Sequence, residues 1–302
     1  MSTVEERIEQ VRNDREHGSR WLVRETMMIL RDLAHDTHGS QEEQRQRLYA
    51  AGRNLAQARP SMAALASAVG RILTAQGGPD AIAQKAEQLL QEYDTATAKI
   101  TEHAKPLLHG TILTCSISGT VLDVISGCRQ SIKQVIVTEG RPRYEGRDTA
   151  RILSQQGIAV TLITDAQADI FMPQCDSVVV GADSVLADGD VLNKAGTALF
   201  GWSARGYHVP FYVLCETLKI SSQRWQDGAE HWQGNLALLE EKEGTEVLDF
   251  PMNGVTVRNF YFDRTPHQLI AKVITEQGVL GEQEVAEIAR QVEKNRQVLE
   301  SK

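Results

Sequence analysis

The sequence predicts an α/β protein in which an all-helical segment precedes a doubly wound, mainly parallel sheet. Three observations carry that prediction. Over residues 4–107 the apolar residues recur at helical spacing, as in Ile8, Val11, Leu22, Met28 and Leu30, and no alternating run interrupts them. Beyond Gly110, short β-rich runs alternate with longer amphipathic stretches. At 302 residues the chain is long enough for two domains, expected at 1–108 and 109–302.

In the helical half the expected breaks are His38–Ser40, Arg59–Pro60–Ser61 and Gly77–Gly78–Pro79, polar clusters suited to helix ends. In the second half Thr111–Cys115, Val135–Thr138, Ala159–Ile163, Ser177–Gly181 and Pro210–Leu214 read as buried strands. Helices are expected at 119–129, 146–156 and 195–207 between them. Buried strands alternating with helices imply βαβ units with right-handed crossovers. Residues 265–300 read as two helices, the last strongly charged.

Composition narrows the function. The net charge of −8 argues against nucleic acid or an acidic membrane as a partner, while leaving open an anionic small ligand held by local arginines. No apolar run is long enough to span a bilayer, and the opening MSTVEERIEQ is too polar for a signal peptide, so a cytoplasmic location is expected. Cys115, Cys128, Cys175 and Cys215 lie too far apart for a zinc ribbon, and reduced thiols are expected. The histidines show no metal-ligand spacing, so neither a metal nor a cofactor is expected.

In a doubly wound sheet, ligands bind beyond the carboxyl ends of the strands. Past the first run, Ser116–Ile117–Ser118–Gly119–Thr120 forms a hydroxyl- and glycine-rich turn that suits a phosphate, or simply caps a helix. Past the second lies Glu139–Gly140–Arg141–Pro142–Arg143–Tyr144–Glu145–Gly146–Arg147. Its arginines suit bidentate phosphate recognition, or form a solvated basic loop. Past the fourth, Asp183 is a candidate general acid or base, because desolvation raises a carboxyl pKa toward neutrality; a helix cap is the alternative. Asn193–Lys194 can hold sugar hydroxyls and a phosphate. Glu216 and Lys219 follow the fifth run and read either as part of this site or as a surface ion pair.

Taken in order, Asp14–Arg15 with Gly18, Arg59–Pro60, Thr114 with Ser118, Arg141–Pro142–Arg143, Gly181–Ala182–Asp183, Gly189–Asp190, Asn193–Lys194, Gly196–Thr197, Lys219, and Phe262–Asp263 with Thr265–Pro266 form a connected pattern. In that order and spacing the chain resembles the family that unites ribose-1,5-bisphosphate isomerase, methylthioribose-1-phosphate isomerase and the regulatory subunits of translation initiation factor 2B. The resemblance implies a Rossmann-like C-terminal domain, a ligand held between the domains, and a homodimer or higher even oligomer. It also implies that His17, Gly18, Ser19, Arg20, Arg59, Ser118, Gly119, Thr120, Asn193, Lys194 and Lys219 bind the phosphorylated sugar, with Asp183 catalytic.

One position departs from the isomerase pattern. Ser116 aligns with the catalytic cysteine, and Cys115, displaced by one residue, points to the opposite face if the strand continues through it. A thiol is tuned to thiolate at neutral pH far more readily than an unassisted serine hydroxyl becomes a base. Two functions follow from the resemblance. The first is an isomerase that converts an aldose 1-phosphate to a ketose phosphate, with Asp183 moving a proton, Ser116 or Cys115 at the thiol position, and Arg59, Arg141 and Lys219 on the phosphates. The alternative is a non-catalytic sensor of a sugar phosphate or nucleotide monophosphate, like the initiation-factor alpha subunit.

Overall fold

A computed structural model of the chain describes residues 3–14, 16–226 and 228–300. Arg15, one residue of the sequence pattern, lies outside them.

The helical half comprises α1 (Val4–Asn13), α2 (Ser19–His35), α3 (Gln41–Ala56), α4 (Ala63–Leu73) and α5 (Pro79–Ala104). The sequence breaks are the helix starts. Thr3 with Glu6 and Ser40 with Glu43 form capping boxes, and Pro79 stands in the first turn of α5, where its missing N–H costs nothing. Leu22, Met27, Leu30, Leu48, Leu65 and Ile72 are fully buried at the centre of this layer. In α2 the buried Val23, Met27, Leu30 and Ala34 follow at intervals of four, three and four residues, which places them on one stripe of the helix.

The second half contains β1 (Gly110–Cys115), α6 (Gly119–Gly127), β2 (Ile132–Thr138), α7 (Glu145–Gln155), β3 (Val160–Ile163), α8 (Ala168–Phe171), β4 (Ser177–Val180), β5 (Ser184–Val185), β6 (Val191–Lys194), α9 (Thr197–Gly206) and β7 (Phe211–Leu214). It continues through α10 (Trp232–Ala237), β8 (Phe262–Thr265), β9 (Lys272–Thr275), β10 (Gly278–Leu280) and α11 (Glu282–Glu300). The main sheet has seven strands in the order β10-β9-β7-β4-β1-β2-β3, all parallel except β10. Side chains alternate across it. Ile112, Val135, Val137 and Val179 pack toward α5, α6 and α7, while Leu113, Ile136, Val178 and Val180 pack toward α8, α9 and α11. This is the doubly wound α/β arrangement expected from the sequence.

The expectation of two helices over 265–300 is corrected. The first of them is a 3-10 turn followed by the hairpin β9–β10, in which Gly278 sits opposite Thr275 at a φ of 131°. Leu269, Ile270, Val273 and Ile274 imitate a helical stripe, but these strands are too short to display their own period. The last helix is present as α11, and its Leu299 is buried in the core of the helical half.

A second sheet, β5-β6-β8, is antiparallel and was not expected. It puts Asn193 and Lys194 on a strand, paired with Asp263 and Phe262 of β8.

Candidate active site

From β1 the chain runs outward in one direction to β2 and β3, then returns to place β4 on the other side of β1. The loops after β1 and β4 therefore diverge at the switch point of the sheet, where doubly wound folds leave a crevice. A cleft of about 690 Å³ opens there, and the helical half closes it with residues of the α1–α2 connection and Arg59. Gly181 lets the two loops meet: a Cβ there would stand 2.9 Å from the Ser118 hydroxyl oxygen.

His17, Gly18, Ser19, Arg20, Arg59, Cys115, Ser116, Ser118, Gly119, Thr120, Asp183, Asn193, Lys194 and Lys219 all border this cleft. Arg141 does not. Its guanidinium is exposed against the Tyr144 hydroxyl at 2.6 Å and the Val247 carbonyl at 3.4 Å, and Arg143, two residues on, lines the cleft in its place. Tyr144, the next residue, adopts left-handed backbone at the entry to α7.

At the α6 end, Ser118 caps the helix by accepting from the Val121 N–H at 3.4 Å. The capping reading of this turn is therefore correct, and it leaves the helix N-terminus facing the cleft. Arg20 lies over it, with its guanidinium carbon 3.2 Å from where a Gly119 Cβ would stand. Thr120 donates to Glu216 at 2.7 Å.

Glu216 and Lys219 are not a surface pair, since they are only 3% and 4% exposed. The Lys219 ammonium donates to the Ala182 carbonyl at 2.5 Å and to Ser19 at 3.3 Å, with a Glu216 carboxylate oxygen 4.0 Å away. It thus joins the helical half to the residue that precedes Asp183. Asp183 itself is half-buried, and its backbone N–H donates to the Leu192 carbonyl at 2.9 Å. Burial pushes its carboxyl up to about 6; Lys219 and Arg59 oppose the rise, while Glu240 and Glu145 add to it.

Ser116 has a φ of 58°, a left-handed conformation that turns its hydroxyl away from the strand pleat and into the cleft. It donates to Glu145 at 2.9 Å, and the same carboxylate oxygen receives Lys194 at 3.0 Å. The serine is therefore assisted by a carboxylate. Cys115 lies on the Leu113 face, its sulfur 3.9 Å from the Thr197 hydroxyl, and burial pushes its thiol up to about 12. At neutral pH it is a neutral core group. Thr197 also receives Asn193 at 3.0 Å, so the amide is fixed at the start of α9. Asp263 holds that same start through the Gly196 N–H at 2.7 Å, and burial pushes its carboxyl up to about 6.

Arg59 is engaged by Glu240 through two bonds of 3.2 and 3.1 Å, and donates to the Asp14 carbonyl at 3.1 Å. Glu240 belongs to the irregular strap between β7 and β8, as does Lys242. Lys194 and Lys242 lie 4.8 and 5.7 Å from the ring centre of Tyr261, at the cleft wall. The sequence reading counted Arg143 among the loop arginines suited to phosphate but gave no role to Glu145, Glu240, Lys242 or Tyr261. Of these only Glu145 carried a signal, as a neighbour of a strand end. Among the described residues no group of His, Cys, Asp and Glu is arranged to hold a metal ion.

The initiation factor 2 subunit family model matches residues 15–282. The ribose 1,5-bisphosphate isomerase of Archaeoglobus fulgidus is 32% identical over 294 residues, covering 93% of this chain and 90% of that protein. Among solved structures, the translation initiation factor eIF-2B of Pyrococcus horikoshii OT3 superposes with a TM-score of 0.76 at 28% identity, over 92% of this chain and 96% of that one. The 5-methylthioribose 1-phosphate isomerase of the same organism gives 0.72 at 26% identity, over 99% and 88%.

Proposed function

The chain belongs to the initiation factor 2 subunit family, and from that premise we propose that it is a sugar-phosphate isomerase converting an aldose 1-phosphate of the ribose 1,5-bisphosphate type to the ketose phosphate. The observation that carries this reading is a carboxyl raised to about 6, Asp183, in a cleft that also presents Lys219, Asn193, Lys194 and the N-terminus of α6. A proton donor beside groups that bind phosphate and hydroxyl is what ring opening requires.

Protonated Asp183 gives its proton to the ring oxygen as the bond from C1 to that oxygen breaks. A hydride, hydrogen with its electron pair, passes from C2 to the oxocarbenium carbon left at C1, and the C2 hydroxyl becomes the carbonyl. The proton leaving the C2 hydroxyl goes to an acceptor, for which the Ser116–Glu145 pair is placed, so that protons given and taken balance. Lys219, Arg20 and the α6 N-terminus bind phosphate, and Asn193, fixed by Thr197, binds a sugar hydroxyl.

Phosphorus NMR of the protein with ribose 1,5-bisphosphate, and separately with methylthioribose 1-phosphate, tests this. Loss of the 1-phosphate resonance to a ketose phosphate supports the reading. The serine in place of the cleft thiol favours a second one, a sensor of a sugar phosphate or nucleotide monophosphate; micromolar binding of either without conversion selects it. An even oligomer is proposed under both readings.

A further inference from the structure

We propose that Glu240 is a positioning residue of this site: it anchors the Arg59 guanidinium across the junction of the two halves and sets the charge that Asp183 meets. The inference rests on the reading of Asp183 as the acid–base group.

The geometry is that of a built contact. Glu240 and Arg59 side chains are only 8% and 12% exposed, and they meet through two parallel bonds, the arrangement that best fixes a guanidinium plane. The same carboxylate also accepts from Ser61 and lies 3.1 Å from Lys242. It therefore ties the α3–α4 connection, which supplies Arg59 and Ser61, to the strap that returns to the second sheet. The strap is itself held there, because the Tyr261 N–H donates to the Glu240 carbonyl at 3.1 Å. Glu240 sits at a φ of 49°, a conformation costly for a residue with a side chain and retained where surrounding contacts over-determine it.

Without this partner Arg59 would be left with the Asp14 carbonyl as its acceptor. A bare guanidinium next to Asp183 would also favour the ionised carboxylate and remove the proton donor. The charged groups that act on Asp183 are Lys219, from the turn after β7, and Arg59 as cations, with Glu240 from the strap and Glu145 from α7 as anions. Glu240 opposes the Arg59 cation. It thereby keeps a cation at the cleft wall while preserving a protonated neighbour.

The test is a titration that needs no substrate. The full chain is labelled with 13C at the aspartate side-chain carboxyls, and the Asp183 signal is assigned by its loss in Asp183→Asn. Glu240→Gln keeps the shape but removes the charge and turns one acceptor oxygen into a donor, so the Asp183 midpoint should fall by roughly half a pH unit or more. Glu240→Asp, which keeps the charge, should restore most of that shift. An unchanged midpoint in folded Glu240→Gln overturns the proposal. Should that variant fail to fold, Arg59→Gln replaces it, with a rise in midpoint expected and an unmoved midpoint overturning the proposal. Absence of isomerase turnover would end the functional reading while leaving this charge coupling measurable; a static midpoint would end the coupling while leaving turnover intact.

Discussion

Asp183→Asn keeps the shape of the side chain but cannot give a proton. Turnover should drop by a factor of roughly 10²–10⁴ while sugar-phosphate binding, followed by calorimetry, survives. The same substitution has a signature in stability. A carboxyl raised from 3.8 to about 6 binds its proton more tightly in the folded chain, so its contribution is fully present below about 4 and is lost as pH rises through about 6. The asparagine variant should therefore melt higher than the parent at pH 8, and the gap should narrow toward pH 5. A variant that melts far lower at both pH values would make the carboxylate structural. The thiol position gives a second comparison. Ser116→Cys puts a sulfur in the cleft beside Glu145 and Lys194 and should raise turnover, whereas Cys115→Ala, on the buried face, should change turnover little. Loss of activity in Cys115→Ala would show the buried thiol to be the working one. Cys115 and Ser116 illustrate what one sequence can convey: the pleat of β1 predicts their opposite faces, but the left-handed turn at Ser116 that finds Glu145 is visible only in the fold.

The elements around the cleft are held by close backbone approach and by one long-range ion pair. Gly146 begins α7 against the end of β2, and a Cβ there would stand 1.8 Å from the Thr138 carbonyl oxygen. Backbone cannot yield that distance locally, so Gly146→Ala should displace α7, with Glu145 on it, and lower the melting temperature by far more than an alanine on an exposed helix face. A variant with the parent's melting temperature would refute that packing. Arg59→Ala leaves the Glu240 carboxylate buried with only Ser61 and Lys242; removing one partner of a buried pair costs about 3–5 kcal/mol. The loss of a charge-assisted contact should also weaken sugar-phosphate binding about tenfold or more, and unchanged affinity in both Arg59→Ala and Lys219→Ala would remove the phosphate site from this cleft. The parallel strands were legible because Thr111–Cys115 and Val135–Thr138 are short charge-free runs rich in β-branched residues, followed by serine or glutamate. The β9–β10 hairpin and the β5-β6-β8 sheet were not, since β6, β8 and β9 carry charged residues in strands no longer than the charge-free β4 and β7. Nor does any local pattern announce a bond between Arg59 and Glu240, 181 positions apart.

At the scale of the molecule, helical half and sheet meet at the cleft. We propose that 1–108 and 109–302 are the two structural units. α11 qualifies their independence by returning Leu299 to the helical core. For the even oligomer proposed above, Ile170 of α8 and Leu199 and Trp202 of α9 offer exposed apolar side chains on helices joined by the Ser203–Asp169 bond of 2.7 Å. Light scattering should give an even multiple of the 33.4 kDa chain, and a monomer at tens of micromolar would contradict it. The main strand ends of the site were legible because a doubly wound sheet directs attention to them, whereas the strap's contribution depends on tertiary contact alone. We propose that this cleft isomerises an aldose 1-phosphate through Asp183. One phosphorus NMR time course with ribose 1,5-bisphosphate, run in parallel on the parent and on Asp183→Asn, tests it most directly. Conversion to the ketose bisphosphate by the parent, slowed at least a hundredfold in the variant, is the expected result; equal rates, or no conversion by a parent that binds the sugar, would refute this role of the cleft.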